Sequence, residues 1–481
     1  MKDFTQLALD TATFCGASYA DIRIIDSKTQ AICLKNGEIE TLNNSNSLGF
    51  GIRVIANGSW GFASSSIMNK NEIKKTAALA VKIAKASATL RKVSVRLAPE
   101  PVHNDIWTSP YLINPFDVPI EKKLDLLYKI DEILRKNKLI KIAESEMSFL
   151  NEHQWLATSD GTFIEQNLLR SGAGYSATAV KGKEVQVRSY PESHGGQYTQ
   201  MGYEFILSTP FLENAEKVRE EAIALLSAPD CPVGKKDLII GGGQLALQIH
   251  ESIGHPSELD RVLGMEANYA GRSFITTDLY KNFHYGSPIV NVVADATVPT
   301  GLATFGYDDD GVQAQRYHII QNGLYQMYLT NRELAHIIDD KRSRGCNRAD
   351  GYESIPMIRM INISLMPVDG SLDDLIADTK DGLFVECNKT WSIDQRRLNF
   401  QFTTEIGWEI KNGKKTRMVK NATYQGITPK FWQSCDAICG RDEWQLWGVP
   451  NCGKGQPSQR AEVSHGAAPA RFKKVNVGIK K

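Results

Sequence analysis

The sequence predicts an α+β protein built on antiparallel sheets, and three observations lead there. Asn-Gly pairs, which accept positive φ at both central turn positions, stand between extended runs at Asn36-Gly37 and Asn57-Gly58. Apolar residues recur at helical spacing in only a few segments, without the regular strand–helix alternation that builds a parallel doubly wound sheet. Ser227-Ala-Pro-Asp-Cys-Pro-Val-Gly234 then sets two prolines and a glycine in eight residues, the clearest boundary in the chain.

Each element follows in order. The N-terminal segment MKDFTQLALDTATFCGASYA ends in small residues, as a secretion signal does. Asp3 breaks the basic region and Asp10 the apolar stretch, so an amphipathic first helix is expected. TQAICLK, SLGFGIRVIA and SWGFASS read as strands of the two hairpins. A helix is expected over 70–86, with Ile73, Ala77, Ala80 and Ala84 on one face. Another is expected from Pro119 to Lys136, with Leu126, Ile130, Ile133 and Leu134 as its apolar stripe and Pro119 in its first turn. Strands return over 139–190 around Asp160-Gly161 and Lys181-Gly182, and a helix over 211–226 carries Ala215, Val218, Ala222 and Leu225. Beyond the boundary come a short strand at Asp237–Ile240, Gly241-Gly242-Gly243 and a helix. The remainder is strand-rich, with turns at Asn322-Gly323, Asp350-Gly351, Asp369-Gly370 and Asn412-Gly413. There is no internal repeat.

Composition narrows the functional classes. A chain of 481 residues has room for about three domains of ordinary size. A hydrophobic content of 42% supports substantial cores. Lys plus Arg is 56 against 55 for Asp plus Glu, a net charge of +1. Binding to a phosphate backbone would call for a basic surplus or stripe, and the longest candidate is a short tail from Phe472-Lys473-Lys474 to Lys480-Lys481, so direct nucleic-acid binding is not expected. No segment reaches the roughly 18 apolar residues of a membrane span. Eight cysteines in a chain with no export signal are too sparse for a disulfide framework. They are expected to stay reduced in a soluble, cytoplasmic protein.

One segment concentrates chemistry: His250-Glu251-Ser252-Ile253-Gly254-His255. Neutral imidazoles bind zinc well, and a glutamate beside one of them can deprotonate a water on the metal. In the helical H-E-x-x-H arrangement the histidines lie about 40° apart around the axis, whereas a spacing of i, i+5 separates them by about 140° on a regular helix. The helix must therefore bulge or end between Ile253 and His255. Gly254 permits that, and Pro256 disfavours the α region for His255. Leu245, Ile249 and Ile253 form a core stripe that leaves His250 and Glu251 directed toward a cleft. The alternative is a satisfied core histidine at 250 and a turn residue at 255.

Zinc needs a third protein ligand. His284, His318, His336, His465, Cys435, Cys439 and Cys452 are available downstream. Cys435 and Cys439 have apolar neighbours that point to packing. Cys452 lies in the polar, turn-rich Pro450–Pro457 segment, where a buried structural thiol is less expected, and is favoured, although spacing leaves the choice open. Asp308-Asp309-Asp310-Gly311 lacks the alternating oxygens and closing glutamate of a calcium loop and is expected to be a solvated turn or a substrate-facing loop. Gly241-Gly242-Gly243 matches no phosphate-binding pattern and is explained by close packing of strand against helix. No G-x-S-x-G nucleophile elbow is present.

With these residues in view the chain resembles the TldD/PmbA family of metalloproteases, historically labelled modulators of DNA gyrase. The likeness rests on the His250–His255 motif after a D-L-I-I-G strand, and on Gly49-Phe-Gly-Ile-Arg-Val54 with Trp60-Gly-Phe-Ala63. It continues through Asp308-Asp-Asp-Gly311, Arg348-Ala-Asp-Gly-Tyr352, Pro356-Met-Ile-Arg-Met360, Val419-Lys-Asn-Ala422 and Cys452-Gly-Lys. The family contains a member with the metal motif and a sister without it, and this chain resembles the former. The resemblance implies zinc held by His250, His255 and Cys452, with Glu251 as the catalytic base. It also implies an N-terminal α/β domain with an antiparallel sheet (1–228), which binds a substrate strand, and a C-terminal β-rich domain (235–481). Partners so implied are unfolded or short peptides as substrate, and a second copy or the metal-less sister in a dimer enclosing a proteolytic cavity. Two rival readings are a non-catalytic peptide-binding or partner subunit with a structural metal, and direct action on gyrase or DNA, against which the near-zero net charge speaks.

Overall fold

The computed structural model describes residues 1–90 and 93–479. It is an α+β protein. The first half is organised by one sheet of eight strands: β1 (Tyr19–Lys35), β2 (Glu38–Ala56), β3 (Ser59–Ser65), β4 (Asn104–Thr108), β5 (Ile140–Thr158), β6 (Phe163–Lys181), β7 (Glu184–Tyr190) and β8 (Gln197–Thr199). Their order is β3-β2-β1-β5-β6-β4, with β7 and β8 also paired to β6. The first two hairpins turn where Asn36 and Gly37, and Asn57 and Gly58, all take positive φ.

Side chains alternate along a strand, and on β1 the alternation assigns each face a task. Ala20, Ile22 and Ile24 pack under α1 (Lys2–Phe14) and α2 (Lys70–Ala88), and Ile32 and Leu34 pack under α3 (Ile120–Leu134) and, beyond the short α4 (Glu204–Ser208), α5 (Phe211–Leu225). The intervening Asp21 and Arg23 face the other way and are buried against the second half of the chain. The expected faces of α2 and α5 are buried, and Asn69 caps α2 by accepting from the Glu72 amide at 2.9 Å. The stripe of α3 is rotated from expectation: Lys123, Leu127, Ile130 and Leu134 are buried while Leu126 and Ile133 are half-buried. A lysine at the N-terminal end of that face hid the period.

The second half begins with β9 (Gly234–Ile240), α6 (Gly242–Ile249) and α7 (Leu259–Val262). A four-stranded sheet follows, ordered β12-β11-β10-β15, from β10 (Val292–Asp295), β11 (Arg316–Gln321), β12 (Leu324–Tyr325) and β15 (Ile363–Leu365). Between these, β13 (Asn347–Arg348) pairs with β14 (Met357–Ile358). After α8 (Leu372–Ala377) come β16 (Asp381–Ile393), β17 (Asn399–Lys411), β18 (Lys414–Ile427), α9 (Thr428–Gln433) and β19 (Cys435–Ile438). The chain ends in a hairpin of β20 (Gln445–Lys454) and β21 (Gln459–Ala467), and then β22 (Ala470–Val477). The large sheet here runs β18-β17-β16-β9-β22-β19, and a further β18–β22 pairing closes five of its strands into a ring. Leu245, Ile249 and Ile253 share one core with Leu238, Val385, Phe402 and Phe472 of that ring. Pairing is antiparallel except for β4 beside β6 and β16 beside β9, two parallel contacts that sequence patterning did not anticipate.

The acidic loop is not solvated. Asp308, Asp309 and Asp310 are buried and dock on the polar face of the first sheet. Asp310 accepts from Arg53 at 2.7 Å, Arg53 also pairs with Asp21 at 2.8 Å, and Asp309 meets Arg23 at 3.2 Å and Gln154 at 2.6 Å. Residues almost 260 positions apart satisfy one another, which no local pattern reveals. The C-terminal basic run also dissolves into the fold where it is described: Phe472 is core and Lys473 pairs with Asp237 at 2.5 Å. Lys480 and Lys481 lie outside the described residues. No helix among the described residues is long and apolar enough to cross a membrane.

Candidate metal centre

α6 ends at Ile249, and His250–Gly254 form a π-helical turn. The amide of His255 bonds to the carbonyl of His250, an i, i+5 bond that returns the chain after five residues and brings the two imidazoles to one side. Their ring centroids are 4.8 Å apart and nearly perpendicular. The distortion thus starts at His250, earlier than expected, and His255 itself stays in the α region (φ −57, ψ −41). Pro256 acts by a different route: lacking an N–H, it leaves the Ser252 carbonyl four residues back without its helical donor, and the Tyr285 hydroxyl donates to it. Packing is close at Gly254, where a Cβ would lie 2.1 Å from Met360 Sδ and force that side chain aside.

Cys452 arrives from β20. Its segment is strand, not the expected loop, and the side chain is buried. The Sγ lies 3.8 Å from His255 Nε2, and the ligand atoms of His250, His255 and Cys452 all fall within 4.8 Å of one another, a grouping that could hold a metal ion. Burial alone would raise the Cys452 thiol, but the adjacent His250 and His255 outweigh it and hold it well below the usual thiol range.

The other face of each imidazole is occupied by protein. His255 Nδ1 is 2.9 Å from Glu258 Oε2. His250 Nδ1 is 2.7 Å from His465 Nε2, and His465 Nδ1 is 3.0 Å from the Ile363 carbonyl. A carbonyl only accepts, so His465 donates through Nδ1 and receives through Nε2 the proton of His250 Nδ1. Both His250 and His255 therefore present Nε2 to Cys452. Glu258 is itself pinned: burial would raise it, but Lys454 (3.2 Å), His255 and Arg261 draw it well below the usual carboxylate range. Cys452 and Lys454 sit two apart on β20, so one strand face supplies both the thiol and the ammonium behind the opposing histidine.

Glu251 is buried and pairs with Arg397 Nη1, and Arg397 outweighs burial to hold the carboxyl below its ordinary value. His250, Glu251, His255 and Cys452 line a cavity of about 270 Å³ together with Arg397 and Trp447. Trp447 also lines an adjoining groove of about 680 Å³. The triple glycine permits close approach to this wall, not only strand–helix packing: a Cβ on Gly242 would lie 2.9 Å from Trp447 Nε1 and one on Gly243 1.8 Å from Glu192 Oε2.

Of the other ligand candidates, His465 stands behind His250, while His284, His318 and His336 belong to no metal-type grouping among the described residues. Cys435 and Cys439 are buried in separate apolar clusters, and all eight cysteines are free. The sequence reading missed Glu258, Lys454 and Arg397, and it offered His465 as a possible ligand where the fold makes it a partner of His250. Only Glu258 carried a signal, a carboxylate three residues after a candidate ligand.

Models of the PmbA/TldA metallopeptidase domain 1, central domain and C-terminal domain match residues 20–84, 113–226 and 234–479. The chain belongs to the TldD/PmbA metalloprotease family. A metalloprotease of Methanocaldococcus jannaschii is 30% identical over 91% of this chain and 92% of its own. A zinc metalloprotease TldD homologue of Saccharolobus solfataricus is 25% identical over 96% and 97%. The crystal structure of TldE from Thermococcus kodakarensis superposes with a TM-score of 0.76 over 98% of this chain and 99% of its own at 15% identity, a likeness of fold.

Proposed function

We propose that the protein is a zinc-dependent peptidase in which His250, His255 and Cys452 hold the metal and Glu251 is the catalytic base. The observation that carries this reading is the convergence of two imidazole Nε2 atoms and one depressed thiol within 4.8 Å, with a carboxylate next in sequence to one of them. The donor set suits zinc: two neutral imidazoles with fixed tautomers and one thiolate leave a fourth tetrahedral position free. When bound, zinc supplies Lewis acidity that polarises a carbonyl and brings a water toward a pKa of about 7. Glu251 takes the proton of the attacking water and passes it to the leaving amine nitrogen. Glu258 and His465 hold the imidazoles at the correct tautomer.

The cavity and the groove beyond Trp447 together suit an extended chain, so the substrates are unfolded or short peptides, bound largely through their main chain. The protein works in the cytoplasm, in a dimer with itself or with a metal-less sister, and residues 1–228 and 235–481 act as its two domains.

The test combines metal content with turnover. Wild type purified without added metal is expected to carry about one zinc per chain and Cys452→Ala almost none. Glu251→Gln should retain zinc and lose cleavage of an unstructured peptide by about 10²–10⁴-fold. Near-wild-type cleavage by zinc-loaded Glu251→Gln, or a wild type that takes up no zinc, would overturn the reading.

A further inference from the structure

Arg397 has no part in holding the metal, yet it is built into the cavity with unusual care. It sits in the turn joining β16 to β17 at φ +63, a left-handed backbone that side-chain-bearing residues rarely adopt. That turn is held from several sides. Asp394 accepts from the amides of Arg396, Leu398 and Asn399 and from the Asn399 side chain. The amides of Arg272 and Phe274 bond to the carbonyls of Gln395 and Arg396, and Thr428 Oγ1 donates to the Arg397 carbonyl at 2.8 Å. The side chain is only 11% exposed. Its Nη1 donates to Glu251, while Nε is buried with no hydrogen-bond partner among the described residues.

An unsatisfied buried guanidinium N–H is costly, and its persistence at a cavity wall points to a ligand atom that completes it. That atom must accept hydrogen bonds, and it would share the cavity that Arg397 and Glu251 both line. Resting on the peptidase reading above, we infer that Arg397 is a catalytic residue that stabilises the oxyanion of the scissile carbonyl. As the water oxygen bonds to the carbonyl carbon, the C=O π pair moves onto the carbonyl oxygen and Glu251 takes the water proton. Arg397 donates to the oxygen that has gained the charge. On collapse the pair returns, the C–N bond breaks, and the proton passes from Glu251 to the amine. A fixed, largely buried donor favours the charged state over the ground-state carbonyl, so its effect falls on the chemical step.

The experiment compares wild type, Arg397→Gln and Arg397→Gly, the last because glycine takes the left-handed backbone without strain. An unstructured peptide is the substrate. A phosphinic analogue, with a tetrahedral anion at the scissile position, is the binding probe, followed by calorimetry. Loss of the donor is expected to lower kcat by about 10²–10³-fold and weaken the phosphinic analogue in parallel. KM and zinc content should stay within about threefold. Unchanged kcat overturns the inference. So does a loss of kcat with undiminished phosphinate affinity, which would make Arg397 a positioning residue for Glu251. A KM defect confined to peptides with a free C-terminal carboxylate also overturns it, in favour of a carboxylate clamp. A wild type that binds zinc and cleaves while both variants match it defeats only this inference; a wild type with neither zinc nor cleavage defeats the peptidase reading and this one with it.

Discussion

At the junction of the two halves, three consecutive aspartates have their oxygens taken up by protein; at His250, His255 and Cys452, the protein satisfies one side of each histidine and leaves the other facing its neighbours. Asp308 accepts from the amides of Asp310, Val312 and Asn347, Asp309 from Gln154, Arg23 and the Ala349 amide, and Asp310 from Arg53, Asn347 and the Arg332 amide. Both regions are buried and charged. What separates structure from site is the unused donor or acceptor: the acidic triplet offers a metal nothing further, whereas three ligand atoms remain clustered at the imidazole–thiol group. The sequence already favours the histidines over Asp308-Asp309-Asp310 for a metal, but it reads the acidic run as a solvated or substrate-facing turn, and the hydrogen-bond inventory shows it buried and paired.

The comparison can be broken at either end. The largest effect is expected at the junction. Arg53→Met would strand Asp21 and Asp310 in a buried site, and breaking such a pair costs about 3–5 kcal/mol. Urea unfolding should register that loss while zinc per folded chain stays at the wild-type level. A loss under about 1 kcal/mol would mean that water, not protein, satisfies the loop. A smaller effect is expected behind the candidate metal centre. Glu258→Gln removes the charge that orients His255, and outer partners of this kind typically govern metal affinity by about 10–100-fold, measurable by competition with a chelator. Unchanged affinity would show that the carboxylate serves only Lys454 and Arg261.

The smallest effect tests a third case, a buried charge with no carboxylate against it. Lys123 reaches Gln30 and the Pro115 carbonyl, and burial pushes its ammonium down to about 8 from an ordinary 10.5. The unfolded chain holds this proton more tightly than the folded one. Its penalty is therefore full below pH 8, and stability should rise as pH climbs from 8 to 10.5. Lys123→Met, measured by denaturant midpoint across that window, should flatten the rise attributable to this group. A wild-type slope retained in the mutant would sink the assignment.

Much of the fold was written locally. The Asn-Gly turns, the faces of α2 and α5 and the core stripe Leu245, Ile249, Ile253 all depend on backbone preferences and periodicities that act within one element. The i, i+5 spacing of His250 and His255 demanded a distorted helix, and a π turn is that distortion. Long-range packing is what puts Cys452 on a strand with Lys454 two residues on and behind His255, sets His465 to fix the tautomer of His250, joins Arg397 to Glu251 across 146 residues, and docks the acidic loop on Arg23 and Arg53. The reason is physical: these contacts exchange desolvation for pairing between distant segments, and no residue of such a pair carries a local trace of its partner.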